Sequence, residues 1–311
     1  MEPIFRNWSP SHSADWGKRP VLAEHRLHDN PLFSRQALAE LIQRYPVEHY
    51  ALVHVSHRDD ATRVWREGEI GDLTGHEVID WISAGRMWLN LRNVRAVDSR
   101  YGDLVDGVFE ELRERVPGFE TFNRSLGILI SSPGASVPYH ADLPGQSLWQ
   151  IMGSKRVYLY PPEEPYLPRA ELERIALFGV EVDMGYDPLY DRDALIVDLQ
   201  PGQMMTWQLN APHRVENHDC LNVSVTTEHW TDEIRRSQML NTANGVLRNY
   251  FGMKPSGGRL DGPAFVAKAA LQAAWRRSPW MKKERKRRRP IDFRLARQAP
   301  GAIVDIPAYV R

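Results

Sequence analysis

Two stretches decide the fold: Val137-Pro-Tyr-His-Ala-Asp142 and, starting eight residues after its last member, Gln150-Ile-Met-Gly-Ser-Lys-Arg-Val-Tyr-Leu-Tyr-Pro-Pro162. The second reads as a strand, a tight Gly153-Ser154 turn and a further strand that opens on Lys155 and closes on a Pro pair. Outward from them, the apolar period is 2 from about residue 126. Gly127–Ile130, Leu148–Met152, Arg156–Tyr160, Leu195–Leu199, Met204–Trp207 and Leu221–Thr227 are short runs. Pro133-Gly134, Pro161-Pro162, Pro201-Gly202 and Asn217-His218-Asp219 punctuate them. Many short strands between turns predict an antiparallel sandwich or barrel instead of a parallel α/β sheet.

Helical periodicity flanks this core. Ser34 caps a segment with Leu38, Leu41, Ile42 and Tyr45 on one face, and Thr74-Gly-His-Glu77 fits a capping box. A third helix is expected near 102–116, where Leu104, Val108, Leu112 and Val116 form a stripe. Beyond the strands, Thr231 can cap one helix and Pro263 can open another. The expected organisation is 1–125 as a mixed region packing on the core, 126–230 as the core, 231–278 as C-terminal helices and 279–311 as a basic arm.

Composition narrows the classes. The 311 residues are 42% hydrophobic and 26% charged, which excludes global disorder. No run approaches the ~18 apolar residues of a membrane span. The first sixteen residues lack the basic and apolar regions of a secretory signal, so a cytoplasmic location is expected. Cys220 is the single cysteine, which excludes a disulfide framework and a thiolate cluster. Eleven histidines leave nitrogen ligation open.

His140 and Asp142 stand two apart, and on an extended strand such residues share a face. They can then bite one metal ion together. A second histidine from another strand would complete a two-His-one-carboxylate facial triad, the geometry of non-haem Fe(II) oxygenases. A lysine on the neighbouring strand can reach into the same hollow and neutralise a carboxylate.

With these residues the sequence resembles the JmjC or cupin-like branch of Fe(II)/2-oxoglutarate oxygenases, most closely the type represented by the asparaginyl hydroxylase that inhibits hypoxia-inducible factor. That family carries an HxD motif followed, at this separation, by a Q-I-x-G-x-K-R turn and an apolar strand ending in Pro-Pro. The likeness covers roughly residues 126–230. It implies a double-stranded β-helix (jelly-roll or cupin) core with flanking helices. It implies that His140 and Asp142 are metal ligands and that Lys155 faces the far carboxylate of 2-oxoglutarate. The segment Ala211–Asn217 resembles the family's distal-ligand stretch, so His213 is taken as the third ligand; His218 reads as a turn residue and His229 as packed or exposed at a strand end. Gln146 matches a place where relatives can carry an amide near the co-substrate. Relatives usually place a threonine three residues before the first ligand; this chain has Val137, which cannot donate a hydrogen bond.

The resemblance implies Fe(II), 2-oxoglutarate and O2 as cofactor and co-substrates, with substrate hydroxylation and release of succinate and CO2. Two other readings stay open: a cupin-type metalloenzyme without 2-oxoglutarate, which Lys155 argues against, and a catalytically silent regulatory module, which the intact triad argues against. Relatives act on protein side chains, a modified tRNA base or small metabolites, and fold does not choose among them. Asn222, Ser224 and Thr226 give the last strand one polar face, read either as pocket lining or as a solvated face.

The zero net charge conceals a split. Residues 276–298 hold eleven Lys or Arg against Glu284 and Asp292, a net of +9, so the remainder sums to −9. The run Lys282–Arg289 reads as a candidate contact for nucleic acid or an acidic partner, or for the body of a second copy in a homodimer, or else as a solvated helix face.

Overall fold

The computed structural model describes residues 2–55, 65–85, 87–179, 184–255, 258–279, 290–297 and 303–310. In chain order the first third gives β1 (Phe5–Arg6), α1 (Pro10–Asp15), β2 (Val21–His25), α2 (Arg35–Gln43), β3 (Tyr50–Val55), β4 (Trp65–Glu69), α3 (Gly75–Ala84), β5 (Met87–Leu91), α4 (Val94–Val97) and α5 (Ser99–Arg115). The middle gives β6 (Phe122–Ser131), β7 (Ser136–His140), β8 (Gly145–Met152), β9 (Lys155–Leu159), α6 (Arg169–Phe178), β10 (Leu195–Leu199), β11 (Gln203–Thr206), β12 (His213–Asn217) and β13 (Asn222–Trp230). The last part gives α7 (Asp232–Phe251), α8 (Gly262–Arg277), β14 (Ile291–Leu295) and β15 (Ile303–Tyr309).

Two sheets face each other. The larger runs β1-β2-β11-β8-β13-β6-β5-β3-β4-β14-β15 and the smaller β10-β9-β12-β7. From β6 to β13 the chain crosses repeatedly between them: β6, β8, β11 and β13 belong to the large sheet, while β7, β9, β10 and β12 belong to the small one. That winding is a double-stranded β-helix with flanking helices.

The alternation in β6 sets the layers. Leu126, Ile128 and Ile130 face outward, where α2, α3 and α5 bury Leu41, Ile82, Val105, Phe109 and Leu112 against them. Leu129 and Ser131 face the small sheet. Between the sheets, Leu148, Val157, Leu159, Met205, Trp207 and Val215 pack into one apolar cluster. Local signals place the helices. Ser34 accepts from the Ala37 amide at 3.2 Å, and Thr74 and Glu77 form the expected capping box. Helix α5 begins at Ser99, ahead of the expected 102, because the Asp98 side chain accepts from the Arg100 amide at 3.1 Å and caps it there. Thr231 caps α7 by accepting from the Ile234 amide.

The large sheet does not stop at residue 126, since β5 pairs with β6 and β2 with β11. Nor is 279–311 only an arm. β14 adds to β4 in parallel, with Ile291 opposite Glu67, and β15 closes the edge. Phe293 is fully buried against Gly68, where a Cβ would lie 2.2 Å from its ring. Arg66 donates to Asp292 at 3.0 Å and to Asp305 at 2.6 Å. The alternation Ile291-x-Phe293-x-Leu295 carries this strand and is masked in the sequence by the basic run beside it. Lys282–Arg289 lies outside the described residues. Among the described residues no helix is long and apolar enough to cross a membrane.

Candidate metal centre

β7 ends at His140, which pairs in register with His213 at the start of β12. The next partners are Val215 and Val137, so β7 carries three steps against two on β12. This bulge turns both Val137 and His140 toward the space between the sheets, although they are three residues apart. Asp142 is not on the strand, as the HxD spacing predicted, but on the connection to β8. Its backbone is tied down by Asn210, whose side-chain amide donates to the Asp142 carbonyl at 2.6 Å from a left-handed backbone with φ 61°.

The three side chains converge. His213 Nε2 lies 3.3 Å from Asp142 Oδ2, His140 Nε2 lies 3.9 Å from Asp142 Oδ1, and one candidate ligand atom from each residue lies within 4.8 Å of the others. His140 Nδ1 sits 2.8 Å from the Pro138 carbonyl and His213 Nδ1 3.1 Å from the Ala211 carbonyl. A carbonyl only accepts, so both protons reside on Nδ1 and both Nε2 lone pairs point inward. Burial, then His140, holds His213 well below its ordinary titration range, so it stays neutral. Burial raises the Asp142 carboxyl, and its Oδ2 is buried with no hydrogen-bond partner. Two lone pairs therefore face an orphaned carboxylate oxygen. A divalent cation satisfies all three at once, and an N2O donor set suits a first-row transition metal. The residues present thus fit the implied iron.

The same cavity, about 390 Å³, is also lined by Lys155. Gln150 explains why a lysine arrives there. Its amide nitrogen donates to the Met152 and Gly153 carbonyls at 2.8 and 2.9 Å and to Asn222 Oδ1 at 2.7 Å, while its oxygen accepts from Ser224 at 2.7 Å. These bonds pin the turn. Gly153 adopts φ 69°, and a Cβ there would come within 2.3 Å of the Leu221 carbonyl. Lys155 then opens β9 pointing inward, 4% exposed, opposite Asn217. Burial pulls its ammonium down to about 8, and no carboxylate among the described residues pairs with it.

Gln146 also lines the cavity, opposite Glu228 on β13, with its amide 3.5 Å from the Glu228 carboxylate. The polar face of β13 points inward: Asn222 and Ser224 are fully buried in the Gln150 network, and Thr226 and Glu228 line the cavity. Sequence reasoning stopped this alternation at Thr226; two residues further it would have reached Glu228. Burial, reinforced by Asp142, raises the Glu228 carboxyl. Ser131, Asn217 and Asn210 were not singled out either, and Trp207, 4.6 Å ring to ring from His213, carries no local signal at all. His218 stands outside, bonded to Ser154 and facing Asp198, and His229 is wedged between Phe109 and Phe119. Gln146 and Trp207 also border an open groove of about 660 Å³ walled by Trp16, Phe119 and Phe122.

A double-stranded β-helix holding a His-Asp-His group between its sheets is the fold of the JmjC/cupin oxygenases, and this chain has that fold. The solved structure of YcfD, a ribosomal oxygenase from Escherichia coli in complex with cobalt and 2-oxoglutarate, is similar over 95% of this chain and 75% of its own, with a TM-score of 0.50 and 17% identity. In sequence the chain is similar to HSPB1-associated protein 1 of Rattus norvegicus, 33% identical over 151 residues, 45% of this chain and 31% of the relative. It is also 34% identical over 113 residues, 33% of this chain, to the HSPB1-associated protein 1 homolog of Danio rerio, of which that stretch is 25%. The chain therefore matches a quarter to a third of the length of these curated relatives. No family model matches it.

Proposed function

We propose that this protein is an Fe(II)/2-oxoglutarate-dependent dioxygenase that hydroxylates a protein side chain. The observation that supports this reading is the pairing, within one cavity, of three converging candidate ligands with a buried ammonium that lacks an acid. His140, Asp142 and His213 would hold the metal and Lys155 the far carboxylate of the co-substrate, with Gln146 beside them. When bound there, ferrous iron with 2-oxoglutarate and dioxygen supplies oxidative decarboxylation to succinate and CO2 coupled to insertion of oxygen into a C–H bond.

The chain's own residues do the rest. The Pro138 and Ala211 carbonyls accept from Nδ1 and fix both histidine tautomers, so each Nε2 would be the atom that holds the metal. Lys155 neutralises an anion where water is excluded and the pairing is strong. Trp207 and Leu148 wall the cavity, and the groove that shares Gln146 and Trp207 with it offers a bulky substrate a surface to lie on. A protein substrate is proposed on that groove and on the names of the similar proteins, a ribosomal oxygenase and a protein associated with HSPB1.

Anaerobic titration with Fe(II) and then 2-oxoglutarate tests the reading. The weak visible charge-transfer band of such a chelate should form with the wild type and be lost in His140→Ala. Folded, iron-loaded protein that gives no band rejects it. A cupin-type enzyme without 2-oxoglutarate would bind iron only, and a silent module neither. Succinate release across peptide, ribosomal and metabolite pools then finds the substrate.

A further inference from the structure

Helices α6 and α7 approach so closely at Gly245 that a Cβ there would lie 2.5 Å from the Glu173 carbonyl. Alongside runs a hollow of about 850 Å³ that shares no lining residue with the metal cavity. Ser237, Leu240, Asn241 and Asn244 recur at i, i+3, i+4 and i+7, so one face of α7 fronts this hollow, with Leu167 and Leu172 from the α6 side. Asn244 is 1% exposed, and neither its Nδ2 nor its Oδ1 has a hydrogen-bond partner among the described residues. Its helix neighbours are satisfied. Gln238 and Thr242 donate to the Ala176 carbonyl, Asn241 to Ser237, Arg248 to Glu173 and Asn249 to the Gly245 carbonyl. Glu173 is fully buried on the facing helix; Arg248 meets its Oε2, while its Oε1 is a third orphan of the same seam. Unmet buried polar atoms are costly, and three on one helix pair point to an occupant. The exposed charges along the hollow, Glu163, Glu164, Arg169 and Arg259, are two of each sign, which favours a neutral one.

We propose that this hollow binds a neutral primary carboxamide carried on an apolar body. One orphan donor and two orphan acceptors are the complement of such a group, which has one carbonyl oxygen and two N–H bonds. Its carbonyl accepts from Asn244 Nδ2, one N–H donates to Asn244 Oδ1 and the other to Glu173 Oε1. The leucines take the apolar body, the usual division of labour in a small-ligand site.

The test titrates the full chain with nicotinamide, with nicotinate as the matched acid, and with acetyl-Leu-Gln-Leu methylamide beside its Glu counterpart. Ligand-observed NMR reads binding. Wild type should bind an amide at least about tenfold more tightly than its acid, and Asn244→Leu should lose that preference. Tighter nicotinamide makes the source a free small amide, and a tighter Gln peptide makes it a protein side chain. Asn244→Leu should also melt above wild type without ligand, because it removes an unmet buried amide, and should take up Co(II) as wild type does. Amide and acid that bind alike, a variant that binds as wild type does, or no binding of either amide overturns the assignment, the last leaving an ordered water as the occupant. A variant that melts below wild type also overturns it, since Asn244 would then be bonded within the fold. None of these outcomes touches the metal centre or the co-substrate reading.

Discussion

Lys155→Met should make the protein more stable and at the same time a worse binder of 2-oxoglutarate. The lysine is 4% exposed without a counter-charge, and burial takes it from an ordinary 10.5 to about 8. At roughly 1.36 kcal/mol per pH unit, that drop is a burial cost of about 3 kcal/mol near neutrality. The folded value is the lower one, so between pH 8 and 10.5 the unfolded chain binds more protons and wild-type stability rises with pH. The cost is complete below pH 8 and gone above 10.5. Methionine matches the lysine stem and carries no charge, so the variant should gain most of this amount at pH 7. With an unfolding entropy of about 2.1 cal/mol/K per residue over the 311 residues, 3 kcal/mol corresponds to about 4–5 °C in Tm. The gain should shrink as the buffer is taken from pH 7 toward 9.5. Loss of a charged hydrogen bond should weaken 2-oxoglutarate at least about tenfold. Saturating co-substrate then stabilises wild type much more than the variant, and the two melting curves converge. Scanning calorimetry with and without metal and 2-oxoglutarate reads both effects. A variant that melts below wild type in the absence of ligand and binds 2-oxoglutarate unchanged refutes the account of Lys155 as an ammonium waiting for an anion.

Asp142→Asn should abolish tight Co(II) binding, by about a hundredfold or more, while leaving the metal-free protein at least as stable as wild type, because it relieves a carboxylate facing two nitrogen lone pairs; calorimetric metal titration beside urea unfolding checks both halves. Gln150→Leu removes four hydrogen bonds and strands their buried partners, so it should cost about 2–4 kcal/mol by urea unfolding and also weaken 2-oxoglutarate through the displaced turn; an unchanged midpoint would contradict it. Phe293→Ala should cost about 3–5 kcal/mol and promote association, read by light scattering, since it loosens the strand that covers β4. Because β14 and β15 are part of the sheet, the basic run is better probed by charge reversal within Lys282–Arg289 than by truncation at 279.

The β-helix architecture was legible because strand alternation and turn residues are local signals. Each apolar run from Gly127 to Thr227 became a strand, and Ser34, Thr74 and Thr231 each cap the helix they precede. His140 and Asp142 were read from their spacing, and Lys155, His213 and Gln146 were taken from the family resemblance; all five line one cavity. What escaped reading depends on contacts between distant segments. The bulge that turns His140 inward exists only in the pairing of β7 with β12, and the Asn217–Ser131 hydrogen bond only in the approach of the two sheets. Asp142 leaves the strand because Asn210 holds its carbonyl, a tertiary contact with no trace in the HxD triplet. β14 was hidden by composition: the charge of its neighbours outweighed a three-residue alternation.

The parallel pairing of β14 with β4 bears on how the chain folds while it is being made. The Arg66–Asp292 bond joins residues 226 positions apart. At roughly 5–20 residues per second, β4 waits about 10–45 s on the ribosome before its neighbour emerges. Through that interval β4 is a naked edge, and Arg66, Glu67 and Glu69 on this short strand are the charges that would keep nascent chains from zipping together there.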